Sequence, residues 1–295
     1  MTNASHPHLT PEAAAQLGLS VDERVAAIEV DRWVAYPEAT DILRWMDDLI
    51  AVNRIERKHS LLILSDSDNG KTSLLRRFER KHRSTADLEP TGTMPLLRIE
   101  MPTDISETRL YSLLLMAAMA PHNPRDTAFI KETQLTRVMT GLKVRGVIID
   151  EFSNVLYAGA VERRKILGTL KIISAQLKVS IIATGVHEAV QALRGDPHLF
   201  SRFDIAELPR WELNRDFLRF LLTYQSMLPL AEDSQLTDSE KSALLHEHCR
   251  GLIGPAVSTM NAAAVHALRE GREAITTADL REVMTRRPSV KSRYM

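Results

Sequence analysis

The sequence lacks several features, and each absence narrows the reading. There is one cysteine, Cys249, in 295 residues. No internal disulfide can form, which fits a reducing compartment. No apolar run approaches the length of a membrane span, and the first residues show no signal-peptide core. A cytoplasmic protein without a membrane partner is therefore expected. Formal net charge is zero, with 38 basic and 38 acidic side chains. Any nucleic-acid surface must then be a local patch rather than a property of the whole molecule. No internal repeat or low-complexity tract appears, and the 44% hydrophobic content supplies one large or two modest cores.

One absence falls inside a motif. Ser65-Asp66-Ser67-Asp68-Asn69-Gly70-Lys71-Thr72 follows the apolar run Leu61-Leu62-Ile63-Leu64 and precedes a helix-forming stretch from Thr72 to Arg83. This is the strand–loop–helix setting of a P-loop, G-x-x-x-x-G-K-[ST], with serine in place of the first glycine. Backbone N–H groups of such a loop and the following helix N-terminus cradle phosphate oxygens. Ser65 to Thr72, with Ser73 behind them, would hold ATP; Lys71 would reach the β/γ-phosphates and the Thr72 hydroxyl would ligate Mg²⁺. If Ser65 needs φ > 0, serine costs about 1 kcal/mol or more; if it is a strand end, the cost is small. A calcium loop fits less well, because the glycine arrives one position early and the twelfth residue is Arg77 rather than Glu.

The second half of the site is Val147-Ile148-Ile149-Asp150-Glu151. Three apolar, β-branched residues ending in two acids suit a buried parallel strand whose carboxyl end carries ligands. Asp150 would hold Mg²⁺, directly or through water, and Glu151 would act as general base on the attacking water. His246, Glu247, His248 and Cys249 do not match a metal motif: their offsets on one helix do not bring three ligands together.

Strands are expected at 60–64, 95–101, 144–150, 179–184 and 204–208. Helices are expected between them, and at 36–57 with Thr40 or Asp41 as its cap. Alternation of this kind predicts a parallel, doubly wound α/β sheet. After Pro209 only helical periodicity remains, at 217–227, 239–248, 255–270 and 277–287, which predicts an all-helical lid. Residues 1–35 read as an N-terminal arm with a short helix at Pro11–Ala15, 36–210 as the nucleotide-binding core, 211–285 as the lid and 286–295 as a basic tail.

Together the Tyr36-Pro37 entry, the Asp66-to-Thr72 loop, Ile148-Ile149-Asp150-Glu151, Ser201-Arg202-Phe203 and Gly251-Leu252-Ile253-Gly254 resemble an AAA+ ATPase. More closely, they resemble the TniB/TnsC family of transposition regulators, over about residues 33 to 285. The resemblance implies an AAA+ P-loop core with a five-stranded parallel sheet plus a C-terminal helical lid. It implies ATP bound between subunits, a homo-oligomeric ring or helical filament on duplex DNA, and hydrolysis that disassembles it. It further implies a link between a TniQ-like targeting protein and a DDE transposase. Residue by residue, Thr184 matches sensor 1 and Arg202 the arginine finger given to a neighbour, with Arg194 and Arg210 as alternatives; Tyr36 and Pro37 would line the adenine pocket. The lid segment Gly254-Pro255-Ala256-Val257-Ser258 has no sensor-2 arginine, which suits a slow switch better than a fast motor. Sequence-independent DNA contacts are expected from Thr103 and Arg109, with Arg125 and Lys131 nearby. Alternatives are a helicase-loading or remodelling AAA+ ATPase, and a nucleotide-gated interaction module.

Overall fold

A computed structural model describes residues 6–51, 59–86 and 92–286. In chain order the elements begin with α1 (Pro11–Ala15), α2 (Val21–Ile28), α3 (Pro37–Ala51), β1 (Ser60–Leu64), α4 (Lys71–Ala86), β2 (Leu96–Glu100), α5 (Glu107–Ala117) and α6 (Ala128–Gly141). They continue through β3 (Gly146–Asp150), a 3-10 segment (Phe152–Tyr157), α7 (Ala160–Ala175), β4 (Ser180–Gly185), α8 (Ala189–Leu193), α9 (Pro197–Phe200) and β5 (Phe203–Glu207). The last four helices are α10 (Arg215–Gln225), α11 (Ser239–Cys249), α12 (Ile253–Arg269) and α13 (Thr277–Arg286).

Two compact units result: Pro37–Pro209, and the described residues of Met1–Tyr36 together with those of Arg210–Met295. The first is an α/β unit. Its five strands lie in the order β2-β3-β4-β1-β5, and every pair is parallel. All residues of β1, β3 and β4 are buried, which is why these strands read as unbroken apolar runs rather than alternating ones. Register pairs Ile63 with Thr184 and Ile149 with Ala183. The three central strands therefore end at one level, and Leu64, Asp150 and Thr184 share the carboxyl edge of the sheet.

The helical unit has its own core, built from Val25, Ile28, Phe217, Tyr224, Leu245, Met260 and Leu280 among others. Val25, Ile28 and Val34 of the N-terminal arm pack in this core. Arg24 is buried in it; its guanidinium donates to the Pro229 carbonyl and pairs with Glu273. The sequence analysis expected one short helix in this arm, yet a second, α2, forms after it. The signal was present: Ser20 and Glu23 make a reciprocal capping box. Thr276 and Asp279 open α13 in the same way. The expected cap at Thr40 or Asp41 is corrected, because α3 already begins at Pro37. Proline suits the first helical position, where its missing N–H has no partner to lose. The end of that expected helix, at 52–57, and most of the basic tail lie outside the described residues.

One backbone approach in the helical unit is tight. After α11 both Arg250 (φ 51°) and Gly251 (φ 75°) are left-handed, and the Trp211 N–H donates to the Gly251 carbonyl at 2.8 Å. A Cβ on Gly251 would lie 2.3 Å from the Trp211 carbonyl oxygen. Gly251→Ala is therefore expected to destabilise the protein by about 3 kcal/mol or more, combining strain with overpacking. Thermal denaturation of the full chain checks this; an unchanged midpoint refutes it.

Candidate active site

The missing glycine causes no strain. Ser65 is fully buried, and its N–H donates to the Gly185 carbonyl at 3.1 Å, prolonging the β1–β4 ladder by one residue. Its φ is not positive; the left-handed residues of the loop are Asp68 (φ 61°) and Gly70 (φ 88°). Serine thus stands where no left-handed backbone is needed, so the missing glycine costs nothing there. No heavy atom lies within 4 Å of a Cβ built on Gly70, so its backbone angle, not crowding, calls for glycine there. Ser67 and Asp68 are exposed. Asn69 is buried, and its Nδ2 donates to the carbonyls of Leu208 and Pro209, both at 3.0 Å. That side chain ties the loop to the end of β5 rather than offering itself to a ligand.

Helix α4 opens directly after Gly70 and directs the N–H groups of its first turn into the loop. The Lys71 Nζ folds over the loop and donates to the carbonyls of Ser65 and Asp66 at 2.8 and 2.7 Å. Burial pulls its ammonium below the usual lysine range, opposed by the charges of Glu151, Asp150, Asp66 and Asp68. An anion arriving at the loop would relieve that cost.

Asp150 is the hub of the site and is buried. Its Oδ2 accepts from the Thr72 hydroxyl at 3.1 Å and from Arg98 Nη2 at 3.2 Å. Its Oδ1 accepts from the Thr184 hydroxyl at 2.6 Å and from the Glu151 N–H at 3.1 Å. The pairing of Thr72 with Asp150 sets two hard oxygen donors side by side, the kind of donor set that Mg²⁺ takes alongside phosphate and water. The residues present therefore fit a magnesium–nucleotide complex. Glu151 is left-handed at φ 55°, ψ 40°. A non-glycine residue so held at the end of a buried strand is an outlier of the sort found at functional sites.

The other expected site residues each have their own surroundings. Tyr36 packs edge-on against Trp211 in the helical unit, ring centroids 4.9 Å apart, whereas Pro37 opens α3 in the α/β unit. Arg202 precedes β5, and its carbonyl accepts from the Ser60 N–H at 2.8 Å. This is the amino edge of the sheet, opposite the loop. Thr103, Arg109 and Arg125 are exposed, and Arg109 pairs with Asp104. Lys131 requires a correction. It is only 1% exposed, and its Nζ donates to Ser112 Oγ and the Pro124 carbonyl, both at 2.9 Å, so it does not present its charge to DNA. His246 packs on Phe217 and bonds the Trp211 carbonyl at 2.8 Å, a structural duty. Sequence reading missed Arg98. Its only trace was a charge between the apolar Leu97 and Ile99 of β2.

Comparison with known proteins agrees with this arrangement. A family model described as "Bacterial TniB protein" matches residues 24–213. Among solved structures, the ORC1 protein of Aeropyrum pernix in complex with DNA superposes with a TM-score of 0.68 at 16% identity, covering 89% of this chain and 69% of that one. The ORC2 protein of the same organism, in its ADPNP–ADP complexes, gives 0.65 at 15% identity over 88% and 71%. A point mutant of RuvB from Thermotoga maritima gives 0.53 at 12% identity over 83% and 68%. A search of curated proteins finds no match. At these identities the structures establish the fold, a five-stranded parallel P-loop core of the AAA+ type, while the family match spans well over half of the chain. The chain belongs to the bacterial TniB family.

Proposed function

We propose that this protein is an ATP-dependent regulator of DNA transposition. It assembles on duplex DNA, links a TniQ-like targeting protein to a DDE transposase, and uses slow ATP hydrolysis to come apart. One observation carries the nucleotide half of this reading. At the carboxyl edge of the sheet Lys71 lies over the loop, while Thr72 and Thr184 both donate to Asp150, at 3.1 and 2.6 Å. Family membership supports the transposition half. That an AAA+ neighbour was solved in complex with DNA is consistent with the DNA half.

In this reading the loop amides and Lys71 bind the phosphates, and Thr72 with Asp150 holds Mg²⁺. The metal supplies neutralisation of charge on the phosphate oxygens. Glu151 orients a water and takes its proton. Thr184 fixes the Asp150 carboxylate beside it, and Arg202 is offered to a neighbouring subunit. Thr103, Arg109 and Arg125 remain as exposed donors for the DNA backbone, in contacts that weaken with salt.

Electron microscopy with duplex DNA and a non-hydrolysable ATP analogue tests the reading. Rings or filaments are expected, and monomers alone would sink it. Lys71→Ala is expected to weaken nucleotide binding by about 10- to 100-fold, the worth of charge-assisted hydrogen bonds, and to abolish assembly. A fluorescent-nucleotide titration measures the first effect. Undiminished assembly would exclude ATP as the trigger.

A further inference from the structure

Arg98 occupies a position in this site that no P-loop motif specifies. It lies on β2, opposite Ile148 of β3, one alternation below the level at which Glu100 faces Asp150. Its neighbours Leu97 and Ile99 point into the core, so Arg98 is on the other face, toward α4. From there its guanidinium forks. Nη1 donates to Glu79 Oε2 on α4 and Nη2 to Asp150 Oδ2, each at 3.2 Å. The Arg98 side chain is 23% exposed and that of Asp150 5%, so solvent screens the second pair poorly.

An ionised carboxylate offers about four lone-pair sites. Asp150 uses four: Thr72 and Arg98 on Oδ2, Thr184 and the Glu151 N–H on Oδ1. The oxygen beside Thr72, where a divalent cation would bind, is the one that Arg98 shares. A cation reaching Oδ2 must displace or tilt a donor, and it meets a fixed positive charge alongside Lys71. A cation that arrives with a triphosphate brings negative charge that offsets both.

From this geometry we infer that Arg98 is a positioning residue that holds the Asp150 carboxylate in place and discriminates against free divalent metal, making metal occupancy depend on nucleotide. Glu79 moderates it by drawing part of the guanidinium charge toward α4. This inference rests on the nucleotide-site reading above, and the experiment separates the two.

Mn²⁺ binding to the full-length protein, followed by electron paramagnetic resonance with and without a non-hydrolysable ATP analogue, is the test. Wild type is expected to bind Mn²⁺ weakly alone and tightly with the analogue. Arg98→Gln keeps a hydrogen-bond donor and loses the charge. It is expected to bind Mn²⁺ alone about tenfold more tightly than wild type, the scale of removing one nearby like charge at a partly screened site. Arg98→Lys is expected to stay near wild type. If wild type takes up no nucleotide with Mn²⁺, the reading of the site falls and the inference with it. If nucleotide binds normally and Arg98→Gln leaves the metal-alone affinity unchanged, the inference alone is overturned. Should Arg98→Gln not fold, Glu79→Gln decides: it keeps an acceptor for Arg98 but removes the charge that offsets the guanidinium, so it is expected to weaken metal-alone binding, and unchanged or tighter binding overturns the proposal.

Discussion

Glu151→Gln is expected to lower phosphate release by about 10²- to 10⁴-fold, the usual contribution of a positioned general base, and to leave nucleotide affinity close to wild type. Glu151 follows Asp150 directly, but the left-handed turn at φ 55° carries it off the strand line into the 3-10 segment. Its carbonyl accepts from the Asn154 N–H at 2.9 Å, which holds that turn closed. The substitution removes the base without changing length or backbone preference, so Asp150 keeps its donors. Assemblies formed by Glu151→Gln with ATP and DNA are expected to persist where wild-type assemblies decay, since in the proposed function turnover dissolves them. Phosphate release and light scattering on one sample measure both. If wild type and variant release phosphate equally slowly, Glu151 is not the base and the protein is a nucleotide-gated module rather than a working ATPase.

Much of this site was readable because of burial. Central parallel strands covered on both faces must be apolar throughout, so β1, β3 and β4 stood out, and the polar residues ending them marked the carboxyl edge. Ser65 was ambiguous in sequence alone, since a letter does not state its φ; one hydrogen bond to the Gly185 carbonyl resolves it. What could not be read depended on where side chains turn after the chain folds. Lys131 looked like a surface cation until Ser112 and Pro124 enclosed it. Asn69 sat within the motif but faces the carbonyls of Leu208 and Pro209. Arg98 lies far along the chain from Asp150, and only the β2–β3 register brings it there. The grouping of α2 with the C-terminal helices was hidden for the same reason: its anchor, Arg24 with Glu273, spans nearly the whole chain. Local signals such as the Ser20–Glu23 capping box reveal that a helix forms, not what it packs on.

Arg202→Ala is expected to produce the largest loss, about 10³- to 10⁵-fold in hydrolysis, with nucleotide binding intact. The sheet supplies the reason to look for its action in a neighbour. Arg202 bonds Ser60 at the amino end of β1, and the phosphate loop begins past Leu64 at the other end. The five residues of β1, at about 3.3 Å each, separate the two edges, and the body of the sheet lies between them. An arginine rooted there does not serve its own loop. In the proposed assembly, with subunits stacked edge to edge, the same placement would present it to the next subunit's phosphates. This predicts complementation. Arg202→Ala subunits keep a complete loop and Glu151; Glu151→Gln subunits keep the arginine. Neither alone hydrolyses ATP appreciably, but mixed on DNA they should regain part of the wild-type rate, because some sites then join an intact base to an intact arginine. A mixture no faster than its components would move the finger to Arg194 or Arg210, and the same mixing experiment with those variants would identify it.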